Sequence, residues 1–167
     1  SETELPTALT PIPLANDLTN EPEISDAACM THSNRISIRY RGRWTTAEPM
    51  IYTSPSFFNI FSFTFIHGNG SEALMGPNSI VLTDTLAKKI FQQENPIGKT
   101  LHVKNIGNLT VTGVIKEQRN THIRLGAVLP FNLYREDPRY ERWERYNYTT
   151  YIRLQKNAEL ETLNRKL

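Results

Sequence analysis

The chain has 167 residues, of which 38% are apolar and 22% are charged, and its formal net charge is +2. This length suits one domain, or two small lobes that share a core, and allows stability without a disulfide or a metal. The weak and dispersed charge argues against a nucleic-acid-binding surface. Cys29 is the only cysteine, so no internal disulfide can form.

The first part of the chain predicts a short helix followed by two strands. Pro13 suits a first helical turn and Pro22 ends the segment, so the helix is expected between them. Residues 28–41 lead into an alternation of apolar and polar side chains that is typical of a half-buried strand. The chain then turns and returns over 45–53, where Pro49 predicts an edge position or a bulge.

Residues 54–65 combine a helix signal with a strand signal. Ser54 supplies a hydroxyl cap and Pro55 suits a first turn, so a helix is expected to begin here. The phenylalanines lie first at helical spacing and then in alternation, so the period changes near Phe61. Residues 67–70 predict a turn.

The central part predicts a strand, a capped helix and a hairpin. Residues 79–82 form a short apolar run that is typical of a buried strand. Thr83 predicts the cap of the following helix. The apolar stripe of this helix consists of Leu86, Ala87, Ile90 and Phe91. Residues 100–104 and 109–115 predict a hairpin.

The last part predicts two strands on either side of a charged segment, and then a helix. Residues 123–131 and 148–154 indicate strands, and 157–167 predicts the start of a helix. The segment 135–145 mixes charges of both signs, which is typical of a solvated loop or a short surface helix. Strands outnumber helices, and we expect an α+β fold.

Gly98-Lys99-Thr100 is similar to the end of a phosphate-binding loop, but its surroundings do not fit one. That motif needs a glycine where the chain has Gln93, and it needs a strand before and a helix after the loop. Here a helix is predicted before these residues and a strand after them. A turn that leads into a strand is the better interpretation.

Residues with catalytic or metal-binding chemistry are scattered along the chain. The histidines are His32, His67, His102 and His122. None has a partner at zinc-ligand spacing, and Cys29 lacks an activating context. Paired carboxylates lie in polar segments that are typical of the surface. We therefore expect no catalytic residue, no metal and no cofactor, and a chain that is not an enzyme.

The phenylalanines between residues 57 and 65 admit three interpretations. Core packing is favoured, because this part of the chain has little other apolar mass. An exposed patch that binds a partner or touches a membrane is the second interpretation, and Phe57, Phe58 and Phe61 are its candidate contact residues. A ligand pocket is the third.

Several short phrases, in one order, carry a resemblance to a known family. They are Ser54-Pro55-Ser56-Phe57-Phe58-Asn59-Ile60-Phe61, Gly68, Ser79-Ile80-Val81-Leu82-Thr83, Ala87-Lys88-Lys89-Ile90-Phe91, Asn95-Pro96-Ile97-Gly98-Lys99-Thr100-Leu101 and Leu109-Thr110-Val111-Thr112-Gly113-Val114. Together they resemble the extracytoplasmic domain of MacB-like and FtsX-like ABC transporter permeases, in the form abundant in Bacteroidetes. Leu125-Gly126, where the family often has Phe-Asp, and the prolines at 11 and 13 depart from the pattern.

The resemblance implies a two-lobed domain. Residues 1–55 and 123–167 would form a discontinuous β-α porter lobe, and residues 56–122 would form an inserted small α/β lobe. The domain would lie between the first two membrane helices of a permease. The chain would then be a soluble piece of a longer protein, at the periplasmic face of the bacterial inner membrane.

The function that the resemblance implies is mechanical. A cognate ABC ATPase would hydrolyse ATP, and the domain would transmit the conformational change to an extracytoplasmic substrate or partner, in export, lipoprotein handling or control of the cell envelope. A second permease copy and a periplasmic adaptor or substrate protein are further expected partners, and nucleic acid is not. The alternative is an extracytoplasmic sensor that binds a small molecule between its lobes.

Overall fold

The structure is a computed structural model that describes residues 10, 13–32, 36–46, 49–118, 125–134, 148–156 and 158. Within these residues, ten strands form one mixed sheet, accompanied by three short helices and a 3-10 turn. This arrangement confirms the predicted α+β class. No helix in the described part is long and apolar enough to cross a membrane.

The strands cross the sheet in an order that differs from their order in the chain. They are β1 (Ile24–His32), β2 (Ser37–Tyr40), β3 (Arg43–Thr46), β4 (Met50–Thr53), β5 (Phe65–His67), β6 (Ser79–Thr83), β7 (Thr100–Val103), β8 (Gly107–Ile115), β9 (Ala127–Pro130) and β10 (Thr149–Leu154). The order across the sheet is β10-β1-β4-β9-β6-β8-β7-β2-β3, and β5 pairs with β8 beside this path. β4 pairs with β9, and β6 with β8, in parallel, whereas the other described pairs are antiparallel.

The helices are short and lie against the sheet. They are α1 (Pro13–Leu18), α2 (Phe57–Ile60) and α3 (Asp84–Phe91), and the 3-10 turn covers Phe131–Leu133. Thr83 caps α3 as predicted, since its hydroxyl accepts a hydrogen bond from the Leu86 N–H at 3.3 Å. The same hydroxyl donates to the carbonyl of Gly126 at 3.2 Å, so the cap also holds the loop that precedes β9.

The three strands at the centre of the sheet, β4, β9 and β6, are buried along their whole length. Their side chains alternate between two cores, because successive residues of a strand point to opposite faces. The first core lies on the face covered by α3 and includes Met50, Tyr52, Ile80, Leu82, Leu86, Phe91, Ala127 and Leu129. The second core lies on the other face and includes Met30, Ile51, Phe57, Val81, Ile115 and Val128. Both cores therefore contain residues from each of the three strands.

Residues 28–41 form two strands rather than the single strand predicted. β1 ends at His32 and pairs with β10 and β4, whereas β2 pairs with β3 and β7 at the other end of the sheet. The chain must leave β10 and β4 to reach β3 and β7. A single strand with uninterrupted alternation of apolar and polar side chains therefore cannot cover residues 28–41. The predicted strand over 45–53 is divided between β3 and β4 for the same reason.

Pro49 lies beside a central strand, so the predicted edge position is wrong. It immediately precedes β4, which is flanked by β1 and β9. Proline is tolerated at the start of a strand, because its missing N–H lies outside the hydrogen-bonded ladder. Its carbonyl accepts a hydrogen bond from the Gly126 N–H at 2.9 Å.

The residues after α3 form a turn into β7. This confirms the prediction that Gly98-Lys99-Thr100 belongs to a turn that leads into a strand. The Lys99 N–H donates to the Pro96 carbonyl at 3.1 Å, and Gly98 has a φ of +77°. These are features of a type II turn, in which glycine takes the positive φ. β7 begins directly afterwards at Thr100.

The sheet is continuous across the predicted lobe boundaries. β9 and β4 belong to the predicted porter lobe, yet β9 pairs with β6 of the predicted inserted lobe through Val81 with Val128 and Leu82 with Ala127. β2 and β7 pair across the same division. The boundaries at 55 and 123 stay a prediction.

Two further predictions lie outside the described residues. They are the segment 135–145 and all but residue 158 of the segment 157–167.

Replacing Thr83 with alanine should lower the free energy of unfolding by about 1 kcal/mol, because α3 loses its cap. Thr83→Ser keeps the hydroxyl and should retain most of that stability. Urea unfolding of both variants, followed by circular dichroism, measures the difference. An equal loss in the two variants would show that the methyl group, and not the cap, stabilises this junction.

Candidate functional site at the aromatic cluster

Six aromatic side chains pack together on the second face of the sheet. This aromatic cluster consists of Phe57, Phe58, Phe61, Phe63, Phe65 and Tyr151. Phe57 lies at its centre, with ring centroids 5.4 Å from Phe58, 4.9 Å from Phe61 and 5.4 Å from Phe63. Phe61 meets Tyr151 of β10 edge-on at 4.9 Å. The cluster therefore joins the segment 57–65 to the far end of the sheet.

Helix α2 positions three of these rings with a single turn. It begins at Phe57, so the cap position is Ser56, two residues after the cap predicted at Ser54, and the Ser56 side chain makes no capping hydrogen bond. The Ser54 carbonyl instead accepts from the Phe57 N–H at 3.1 Å. So short a helix has little stability of its own, and burial of its aromatic side chains holds it in place.

Two glycines allow the rings to lie directly on the sheet. A Cβ atom on Gly113 of β8 would approach the Phe65 ring to 2.9 Å, and one on Gly70 would approach the Phe58 Cβ to 3.0 Å. The space at Gly68 is smaller still, because a Cβ there would lie 2.5 Å from the Thr112 carbonyl oxygen. Gly68 also has a positive φ of +78°. A side chain at Gly70 or Gly113 would displace the aromatic rings, whereas one at Gly68 would push the turn away from β8.

A polar network fixes the outer end of α2. Arg153 of β10 donates to the Asn59 carbonyl at 2.6 Å and to the Ser25 hydroxyl at 3.1 Å, and it pairs with the carboxylate of Asp26. The Asn59 amide donates to the same carboxylate at 2.9 Å. Sequence reasoning missed this network, because Asn59, Asp26 and Arg153 are far apart in the chain and individually unremarkable.

The candidate contact residues differ in exposure. Phe57 is fully buried, whereas Phe58 and Phe61 are half-buried. Core packing, the favoured interpretation, therefore describes Phe57, which has no surface to offer a partner in this conformation. Phe58 and Phe61 each keep part of a ring at the surface.

The chemistry available at the cluster is limited. Tyr151 is its one titratable member, and burial raises the pKa of the Tyr151 hydroxyl. No group of histidine, cysteine or carboxylate side chains in the described part of the chain could hold a metal ion. Cys29 is buried, and His122 lies outside the described residues. The described rings of the cluster pack against the second core and bury apolar surface.

A cavity of about 430 Å³ lies elsewhere, between β5 and the C-terminal end of α3. Its lining includes Ile66, His67, Asp84, Lys88, Gln92 and Glu94. Burial alone would raise the pKa of Asp84, but the Glu117 N–H and the Lys88 ammonium outweigh it and hold that pKa below its usual value. All the lining residues fall within 66–114, so this cavity belongs to the predicted inserted lobe.

A family profile described as the MacB-like periplasmic core domain matches residues 3–167. The chain belongs to this family. The match covers nearly the whole sequence. Comparison with curated protein sequences gives no match.

Solved structures share the fold of this MacB-like periplasmic core domain at low sequence identity. A domain of a putative permease from Porphyromonas gingivalis superposes with a TM-score of 0.80 at 20% identity, over 96% of this chain and 69% of that one. The periplasmic region of MacB from Actinobacillus actinomycetemcomitans gives 0.72 at 19% identity, over 94% and 70%. The extracellular domain of the noncanonic ABC-type transporter YknZ from Gram-positive bacteria gives 0.67 at 16%, over 93% and 78%.

The fit of Gly68 against β8 can be tested with a matched pair of alanine variants. Gly68 and Gly98 have nearly the same positive φ, at +78° and +77°, but a Cβ on Gly98 would meet nothing within 4 Å. Gly68→Ala should therefore destabilise the domain by about 1–3 kcal/mol more than Gly98→Ala, because only the first adds a backbone clash to the strain. Urea midpoints give the difference, and equal losses would contradict the close approach.

Truncating the ring at the centre of the cluster should be costly. Phe57→Ala should lower the free energy of unfolding by about 3–5 kcal/mol, because it opens a cavity among the rings of Phe58, Phe61 and Phe63. Phe58→Ala, at a half-buried position on the same helix, should cost less. Thermal and urea unfolding measure both, and a smaller loss at Phe57 than at Phe58 would remove Phe57 from the centre of the core.

Proposed function

We propose that this domain transmits the ATP-driven conformational change of its permease to an extracytoplasmic substrate or partner, and that it does so without catalysis. The family supports the coarser statement that it is a periplasmic domain of an ABC transporter permease. The observation that carries the mechanical role is the unbroken sheet from β10 to β3. A displacement at one end of such a sheet is transferred to the other end through paired strands.

Shared cores support this mechanical role. The first core joins Met50 and Leu129 to Leu82 and Leu101, and the second joins Met30 to Phe57 and Ile115. Closely packed interiors transmit strain, because they have low compressibility. The predicted porter lobe and the predicted inserted lobe would then move together, and the aromatic cluster would resist their separation on the second face.

The segments near the two ends of the described chain lie side by side. The Thr10 N–H donates to the Tyr148 carbonyl at 2.7 Å, and the Gln155 N–H donates to the Glu23 carbonyl at 2.7 Å. α1 packs on this end of the sheet through Ala15 and Leu18. This placement suits a domain held by two neighbouring membrane helices, one leading into it and one leading out.

The partners follow from this role. A cognate ABC ATPase would act through the permease in which the domain resides, and a second permease copy would supply an opposing domain. An adaptor or a substrate protein would contact the domain outside the cytoplasmic membrane. Phe58 and Phe61, which are half-buried, are proposed contacts for such a protein.

The sensor alternative requires a ligand between the two predicted lobes. The described strands of those lobes pair directly and share two cores, so their junction is filled by side chains. The cavity beside α3 lies within the predicted inserted lobe. These observations favour mechanical coupling over ligand sensing at the junction.

The test places a spin label on Met75→Cys in the full-length permease, assembled with its ATPase in a lipid nanodisc. Met75 is 70% exposed, and Cys29 is buried and poorly accessible to the label. We expect the distance between labels on two copies to shift between the nucleotide-free and ATP-bound states. Double electron–electron resonance measures this distance.

A label pair within one domain is the control. Asn16→Cys on α1, combined with Met75→Cys, should report one distance in both nucleotide states, because the sheet joins the two positions. An unchanged distance between copies during ATP turnover would overturn the proposal. A changed distance within the domain would show that it deforms, and would replace rigid transmission with bending.

A further inference from the structure

The second face of the sheet carries an open region beyond the aromatic cluster. Its side chains come from β3, β2, β7 and β8, and cross-strand pairing places them together. This open face consists of Ser37, Arg39, Trp44, Thr46, Thr100, His102, Asn108 and Thr110. The residues between them in sequence, such as Ile38 and Leu101, point into the first core.

Trp44 is the one large apolar side chain of the open face, and it is 50% exposed. The Arg39 guanidinium lies 5.3 Å from the centre of its ring, and the His102 ring meets it edge-on at 6.1 Å. His102 in turn contacts the Asn108 amide oxygen at 2.9 Å through Nδ1. The indole is thus supported by its neighbours in one orientation while half of its surface stays accessible.

Polar groups extend from this ring across β2, β7 and β8, and none of the eight residues is acidic. Four are hydroxyl residues, and the others supply an amide, an imidazole and a guanidinium. The described neighbour Lys104 adds a second cation, exposed and two residues beyond His102. A guanidinium that stacks on an aromatic ring keeps its N–H groups free for a carboxylate.

We propose that the open face binds an acidic glycan, with a sugar ring on the exposed surface of Trp44 and a carboxylate on Arg39. A sugar ring presents an apolar C–H surface that suits a flat aromatic side chain, and its hydroxyls suit the threonine, asparagine and histidine groups. None of the eight described residues is acidic, which complements a negative ligand.

The composition of the open face favours a glycan over an acidic peptide. Protein and peptide partners are usually anchored by apolar side chains in pockets. The eight residues lie on four paired strands and include one exposed ring and no second apolar side chain. The proposal does not depend on mechanical coupling, since binding is a property of the isolated chain.

Isothermal titration calorimetry of the 167-residue chain with tetragalacturonate tests the proposal. Neutral galactotetraose and a decaglutamate peptide are the comparison ligands. We expect tetragalacturonate to bind, and the neutral sugar to bind more weakly. Added salt should weaken the binding of tetragalacturonate, because exposed charges are screened. Absence of tetragalacturonate binding would overturn the proposal, as would decaglutamate binding that is as tight.

Variants locate the site. Trp44→Ala should weaken tetragalacturonate binding about tenfold, which corresponds to about 1.4 kcal/mol, and Trp44→Phe should recover part of it. Arg39→Gln should remove the preference for the acidic sugar and leave the neutral sugar little affected. Ile97→Ala, at an exposed apolar position outside the open face, is the matched control and should bind normally. Equal binding by Trp44→Ala and Ile97→Ala would refute the assignment, provided that circular dichroism shows both folded.

Discussion

The pairing of β9 with β4 on one side and β6 on the other is the constraint on which the rest of the structure depends. It joins strands from the two predicted lobes, and it places alternate side chains of all three strands in both cores. Gly126 reinforces this junction, because its N–H bonds to the Pro49 carbonyl and its carbonyl accepts from the Thr83 N–H, each at 2.9 Å. The aromatic cluster and α3 then cover a sheet that is already continuous.

Local patterns predicted the elements whose signals are complete within a few residues. The cap at Thr83 and the turn at Gly98 each depend on neighbours in the chain. The division of residues 28–41 into two strands could not be predicted in this way, because it is decided by partners distant in sequence. The predicted edge position of Pro49 was wrong for the same reason, since central and edge strands differ only in their tertiary neighbours.

The candidate site was predicted in composition but not in geometry. Core packing was the favoured interpretation of the phenylalanines and describes the buried Phe57. The network of Arg153, Asp26 and Asn59 needs three segments that the sequence does not bring together. Glycines 68 and 113 belong to the phrases that carry the family resemblance, and the structure supplies a physical reason for both. They leave room for the aromatic layer and for the turn beside β8.

The late position of β9 in the chain has a consequence for biosynthesis. Residues 50–53 and 79–83 are translated long before 127–130, so the facing edges of β4 and β6 have no partner while the intervening segment emerges. Unpaired apolar edges are prone to aggregation, and contacts of large sequence separation form slowly. A chain interrupted before residue 127 would expose both edges at once. The last of the three central strands to be translated is therefore the one that closes both edges.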